Sequence, residues 1–146
     1  YWHGQFTQRR DHPALRDEME AFHHAAHSGD PETADTVTTF FGDQLDVLGR
    51  EISIRAQRTR QEALYEVAAG VFQRALQWDA RDDYAHHYYA FNYDVRGLRA
   101  ELVETHFRRA IELNSTHAWW WSRYICFLIT RGRTADAANE WGNCLD

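Results

Sequence analysis

The chain has no lysine, only two prolines and two cysteines, and no long hydrophobic run. Both prolines, Pro13 and Pro31, lie near the start, so long helices are permitted from about residue 32 onward. Two cysteines are too few for the disulfide framework of a small secreted domain. No apolar run approaches the roughly 18 residues of a membrane span, so we expect a protein of the cytoplasm with no membrane partner.

Positive charge is scarce as well. The 146 residues carry a formal net charge of −6, and this excess of acid argues against nucleic acid as the main partner. All 16 cationic residues are arginine, which fits either GC-rich codon usage or selection for planar, bidentate contacts. A hydrophobic fraction of 44% and a charged fraction of 26% suit a folded chain of about one domain.

The first residues resemble neither a signal peptide nor the start of a complete protein. Residues 1–10 are polar and lack the apolar stretch of a secretory signal, and no initiator methionine is present. We therefore expect the chain to be a piece of a longer protein.

An internal repeat of about 35 residues organises the later part of the chain. Gly97 recurs as Gly132 at this spacing. Several apolar and aromatic residues recur at the same offset: Phe72, Ala75, Leu76, Tyr84 and Tyr89 as Phe107, Ala110, Ile111, Trp119 and Tyr124. A weaker copy follows 34 residues after the second one: Trp141, Cys144 and Leu145. Such a period is typical of helical repeat arrays.

Apolar residues at spacings of three and four predict an all-α fold of about seven helices. Seven segments have predicted bounds: 14–27, Pro31 to about 46, 47–58, 61–77, 83–96, 100–113 and 117–131; a further helix start is expected near Thr134. The expected N-caps are Asp82 or Asp83, Ser115 or Thr116, and Thr134. Gly97 and Gly132 fall where a helix must turn back.

These residues resemble the tetratricopeptide repeat, whose unit of roughly 34 residues carries an A-x3-F pattern in its second helix. The second-helix matches are Ala68-x3-Phe72 with Ala75, Val103-x3-Phe107 with Ala110, and Ala137-x3-Trp141 with Cys144. The first-helix matches are Trp121 and Tyr124 in one unit, and His86, Tyr89, Ala90 and Tyr93 in the other. The closing proline of the pattern is replaced by Ala80 and Ser115.

The resemblance implies a helix-turn-helix solenoid over residues 61–146, with divergent leading helices at 14–60 packed on it and an extension at 1–13. Residues 85–92 and 118–121 are also similar to helical arrays found in multidomain bacterial proteins. The implied function is a scaffold or sensor module, not an enzyme, that binds another protein, a peptide or a domain of its own parent chain.

By the same resemblance, the first helix of each unit lines a concave groove. The expected groove residues are Tyr84, His87, Phe91 and Asp94 in one unit, and Trp119, Ser122, Cys126 and Ile129 in the next. This surface is aromatic and largely uncharged. It lacks the Lys, Arg and Asn that grip a peptide carboxylate in many members, so we expect an apolar peptide or helix.

Three consecutive tryptophans, Trp119, Trp120 and Trp121, cannot all face one core, because helical neighbours point about 100° apart. One interpretation places Trp121 in the core and Trp120 against the adjacent unit, with Trp119 filling the concave side. In the other, Trp119 anchors a ligand, as aromatic hot spots do.

Two other functions stay open. His23 and His27 share a helix face beside His24, so a metal-binding or catalytic helical domain is one alternative, although the pattern fixes no third ligand. A self-associating module is the other, since an array exposes an apolar end. There is no glycine-rich phosphate loop, nucleophile elbow or activated cysteine, so we expect no cofactor.

Overall fold

The computed structural model describes residues 31–146, and over this range the chain is all-α without a strand. Six helices follow one another: α1 (Pro31–Thr59), α2 (Glu62–Trp78), α3 (Asp83–Asp94), α4 (Ala100–Leu113), α5 (Ala118–Thr130) and α6 (Thr134–Leu145). The all-α fold class is therefore confirmed. The predicted helix 14–27, with its three histidines, and the extension 1–13 lie outside the described residues.

The first described helix is a single element. α1 runs unbroken for 29 residues, so the prediction of two helices, one to about 46 and another over 47–58, was wrong. No proline or left-handed residue interrupts it after Pro31, and Gly42 and Gly49 are tolerated inside the helix. The first left-handed residue is Arg60, at φ 54°, where the chain turns into α2.

The chain divides into two compact units, one up to Ala80 and one from Arg81 to Asp146. In the described part of the first unit, α2 packs back along α1. Gly49 of α1 lies under Phe72 of α2, and a β-carbon at that glycine would come within 2.7 Å of the Phe72 ring. The predicted division after residue 60 remains a prediction, and α2 belongs to the first unit.

The second unit contains α3 to α6, which pack in succession along the chain. Gly97 and Gly132 adopt φ 67° and 75° at the turns after α3 and α5, which confirms their predicted role. The predicted cap Asp82 is also confirmed, because its carboxylate accepts a hydrogen bond from the Ala85 amide at 3.0 Å.

The other predicted caps were wrong. His117 precedes α5 and Arg133 precedes α6, and neither side chain caps its helix. Thr134 is the first helical residue of α6, and Ser115 and Thr116 lie in the turn before His117.

Candidate partner-binding surface

Trp120 fixes the rotation of α5 in the second unit. Its indole is 2% exposed, and its Nε1 donates a 2.8 Å hydrogen bond to the Asp83 carboxylate at the start of α3. The same carboxylate accepts from the Asn114 amide at 3.2 Å, so one acid ties α3 to the turn before α5. Trp121, which we expected in the core, is only partly buried and donates to the Ser115 carbonyl at 2.7 Å.

With Trp120 inside, the opposite side of α5 faces outward. Four of its residues are exposed at helical spacing, and we call them the α5 stripe: Trp119, Ser122, Cys126 and Ile129. Trp119 is 50% exposed and Ile129 53%. The structure therefore places every predicted groove residue of this helix on one accessible face.

The predicted groove residues of α3 do not all lie open. His87 and Phe91 are buried, whereas Tyr84 and Asp94 are half-buried. The α3 side chains meet α5 directly, since the Tyr84 and Trp120 rings lie 6.1 Å apart edge to face. His87 and Phe91 are thus part of the packing between helices and are not available to a ligand in this conformation.

His87 is enclosed by aromatic rings. It stacks on Trp120 at 4.1 Å between centroids and lies 5.2 Å from Phe107, and His117 also stacks on Trp120, at 3.8 Å. Neither His87 nitrogen has a hydrogen-bond partner among the described residues. Burial, reinforced by the positive charge of Arg123, lowers the pKa of His87 to about 3, so the ring is neutral at physiological pH.

A charged cluster borders the α5 stripe. Asp94 pairs with Arg123 at 3.3 Å and with Arg131 at 3.8 Å, and the Arg123 guanidinium also lies over the Phe91 ring at 4.7 Å. Burial raises the pKa of Asp94, and the two arginines partly offset that rise. Two arginines share one carboxylate, so the cluster carries a net positive charge next to an apolar surface.

Sequence reasoning missed these arginines because it examined only the positions that the repeat pattern assigns to the groove. Arg123 follows Ser122 by one residue and is half-buried at the edge of the α5 stripe. Arg131 follows the end of α5. Their signal in the sequence was the Asp94 carboxylate, which a partly buried position can hold only beside a cation.

A second histidine contact joins α3 to α4. His86 Nδ1 and His106 Nδ1 lie 2.8 Å apart, so one ring donates a proton that the other accepts. Burial, followed by the charge of His86, lowers the pKa of His106 to about 4. The pair makes its hydrogen bond only while at least one of the two rings is neutral.

The α4–α5 contact is also polar at one point. Tyr124 of α5 donates a 2.9 Å hydrogen bond to Glu104 of α4, and Arg133 pairs with the same carboxylate at 2.6 Å. The Arg133 hydrogen bond holds the pKa of Glu104 below its usual value, and burial raises the pKa of Tyr124 to about 12. Beside it, the Phe107 and Phe127 rings meet at 6.0 Å.

Other site chemistry is sparse in residues 31–146. No group of three or more His, Cys, Asp or Glu side chains is placed to hold a metal ion there. Cys126 is an exposed free thiol and Cys144 a half-buried one. None of the helices in this range is long and apolar enough to cross a membrane.

A scan against protein-family models finds no match for the chain, and a comparison with curated proteins finds none either.

Proposed function

We propose that the chain is a polypeptide-binding module whose contact surface is the α5 stripe. The observation that carries the proposal is the outward alignment of Trp119, Cys126 and Ile129 on a helix whose opposite face is fixed in the core. Large exposed apolar side chains in a row are typical of contact surfaces. An exposed tryptophan is the residue type most enriched among binding hot spots.

Two contacts on the α3 side position this surface. The Asp83–Trp120 hydrogen bond and the Arg123–Asp94 pair both connect α3 with α5. A preformed surface loses less conformational entropy on binding than a mobile one, so more of the contact energy appears as affinity.

The chemistry of the surface describes the ligand. An extended or helical peptide would place apolar side chains on Trp119 and Ile129, and an acidic residue would suit the cluster of Arg123 and Arg131. We expect this mixed peptide because the α5 stripe has no charged residue, whereas the cluster at its border has a net positive charge.

A random peptide display library, selected on the full chain, tests the proposal. Recovered peptides should bind Trp119→Ala at least tenfold more weakly than the unmodified chain, since truncating an interface tryptophan costs more than about 1.4 kcal/mol. Trp141→Ala is the matched control, because Trp141 of α6 is 57% exposed and its removal should leave these peptides bound.

Far-ultraviolet circular dichroism of both variants should match the parent, because neither tryptophan is buried. If the selected peptides bind Trp119→Ala as tightly as the parent, the stripe is not the binding surface. Phe91→Ala is unsuitable as a probe of the surface, because Phe91 is 8% exposed and its loss would act on folding.

A further inference from the structure

The second unit consists of two helix pairs connected by a short turn. α3 packs on α4 and α5 packs on α6, whereas the backbones of α4 and α5 approach each other over a smaller part of their length. Residues 114–117 connect the two pairs. We call the contact between the two pairs the joint. Because it is the smaller contact, the second unit can open there with its helices intact.

The hydrogen bonds and ion pairs across the joint have a common polarity. The acceptors are carboxylates of the first pair, and the donors belong to the second pair. Asp83 accepts from the Trp120 indole at 2.8 Å, and Glu104 accepts from the Tyr124 hydroxyl at 2.9 Å. The others are Asp94 with Arg123 and Arg131, Glu104 with Arg133 and, with the polarity reversed, Arg108 with Glu140. Arginine side chains of the second pair thus bring positive charge to the joint.

His87 of α3 is a buried histidine within this joint. It is 0% exposed, and neither of its ring nitrogens has a hydrogen-bond partner among the described residues. Trp120 of α5 and Phe107 of α4 cover the ring at 4.1 and 5.2 Å between centroids. The charged and titratable groups that face it from the second pair and the turn are Arg123 and His117. A proton on His87 in the closed joint would therefore lie in an apolar environment and close to positive charge.

We propose that acid opens the joint, with each helix pair remaining helical, because His87 takes up a proton only when its ring reaches water. Opening removes the cover of Trp120 and Phe107, so that the imidazolium is hydrated, and moves the ring away from Arg123 and His117. This conformational response does not depend on peptide binding at the α5 stripe.

Proton linkage gives the sign and the size of the response. Burial holds the pKa of His87 at about 3 in the closed joint, and a hydrated ring has a pKa near 6.5. Between these values the open form binds more protons than the closed form, so the ratio of open to closed molecules rises as the pH falls. From about pH 7 to about pH 4.5, His87 alone should raise this ratio roughly 50- to 100-fold.

Two carboxylates of the joint also respond to acid, in opposite directions. Burial raises the pKa of Asp94, so proton uptake by this group favours the closed joint. The hydrogen bond from Arg133 lowers the pKa of Glu104, so acid weakens this contact and favours opening. His87 responds first as the pH falls, because a hydrated histidine has a higher pKa than a hydrated carboxyl group.

A second histidine of lowered pKa lies outside the joint. His106 of α4 makes its 2.8 Å hydrogen bond with His86 of α3, inside the first helix pair. Protonation of His106 acts on the α3–α4 contact and leaves the joint closed. His106→Gln is therefore the matched control for a change at His87, since glutamine retains a hydrogen-bonding group.

Exchange of the Trp120 indole proton measures opening directly, because this proton is bonded to Asp83 across the joint. NMR of the ¹⁵N-labelled full chain in D₂O gives the exchange rate. Comparison with the rate of N-acetyltryptophanamide at the same pH gives a protection factor. The Trp121 indole is an internal control, because it donates to the Ser115 carbonyl in the turn just before its own helix and does not cross the joint.

In the parent chain, the protection factor of the Trp120 indole should fall by about 30-fold or more from about pH 7 to about pH 4.5. The most protected amides of α4 should keep protection factors at least about tenfold higher at about pH 4.5, because they exchange only when the helix itself unfolds. The Trp121 indole should change by less than about threefold, since it does not need the joint to open. His87→Phe should reduce the fall at Trp120 to less than about fivefold, and His106→Gln should leave it as in the parent.

A change of less than about threefold at the Trp120 indole of the parent would overturn the proposal, because His87 would then take up its proton inside the closed joint. Equal protection of this indole and the α4 amides at about pH 4.5 would also overturn it, since the whole unit would then unfold together. An equal effect of His106→Gln and His87→Phe would exclude a specific role of His87. The first two comparisons need only the parent chain, so they decide the matter even if His87→Phe does not fold.

Discussion

His87 shows how a polar residue becomes part of an aromatic core. The ring is fully buried between helices, with Trp120 stacked on it and no hydrogen-bond partner for either nitrogen among the described residues. A buried polar atom without a partner loses its hydration and gains nothing in return. What holds the ring there is packing with the neighbouring aromatic side chains.

We expect His87→Phe to raise the free energy of unfolding by about 1 kcal/mol near pH 7, because it removes two unpaired polar atoms and keeps a flat ring. His87→Ala should lower it by about 2 to 4 kcal/mol through the cavity that it leaves. Urea unfolding measures both. A clear loss of stability in His87→Phe would show that the imidazole nitrogens contribute to the fold.

The sequence could not determine which tryptophan of α5 lies inside. Spacings of three and four from the core residue Tyr124 reach both Trp121 and Trp120, so periodicity allows either rotation of the helix. The repeat pattern favoured Trp121. The deciding contact is the Asp83 hydrogen bond to Trp120, which joins residues 37 apart in the chain and leaves no local pattern.

At the scale of helices, the spacing of apolar residues and the positions of turn glycines were a good guide. The repeat spacing gave α2 to α5 to within about two residues of their observed ends, because glycine turns and apolar periodicity are local properties. The prediction divided α1 at about residue 46, where no proline or left-handed residue interrupts the helix. A helix continues until such a residue stops it, and here that residue is Arg60.

Replacing either of two glycines in the first unit by alanine should change the stability, but in opposite directions. Gly49→Ala should lower stability by about 1 to 2 kcal/mol, because the new methyl group would overlap the Phe72 ring in a closely packed contact. Gly70→Ala, on an exposed part of α2 with nothing within 4 Å, should raise it by about 0.5 to 1 kcal/mol through helix propensity. Urea denaturation curves of the two variants compare them directly.

The pair is matched, since both changes add one methyl group to a helical glycine. A Gly49→Ala chain as stable as Gly70→Ala would mean that α1 and α2 can separate slightly without loss, and so that their close approach at Gly49 is not required.

For the molecule as a whole, acid sensitivity is built into the second unit. His87 and His106 have folded-state pKa values of about 3 and about 4, both below the ordinary value of 6.5. Between those values and about pH 6.5, the unfolded chain binds protons that the folded chain does not, so stability falls as the pH falls. Asp94 opposes this, because its raised pKa lets the folded state hold a proton at low pH.

The charges around these two histidine rings also lower their pKa values. Arg123 and His117 face His87, and His86 faces His106, so each added proton meets an existing or potential positive charge. Glu104 contributes in the same direction as the histidines, because its lowered pKa reflects a hydrogen bond from Arg133 that acid removes. The histidines act at a higher pH than the carboxylates, since their unfolded-state pKa is higher.

We therefore expect the free energy of unfolding to decrease between about pH 7 and pH 4.5, with His87 alone contributing about 2 to 3 kcal/mol of that loss. His87→Phe should remove this share, so the variant and the parent should differ more at about pH 4.5 than at about pH 7. Urea unfolding at both pH values measures the difference. Comparing how the free energy of unfolding changes with pH in the two chains cancels any packing change that phenylalanine introduces. If the two chains lose stability in parallel on acidification, His87 takes up its proton in the folded state as readily as in the unfolded one, and its burial among the rings would not explain the acid response.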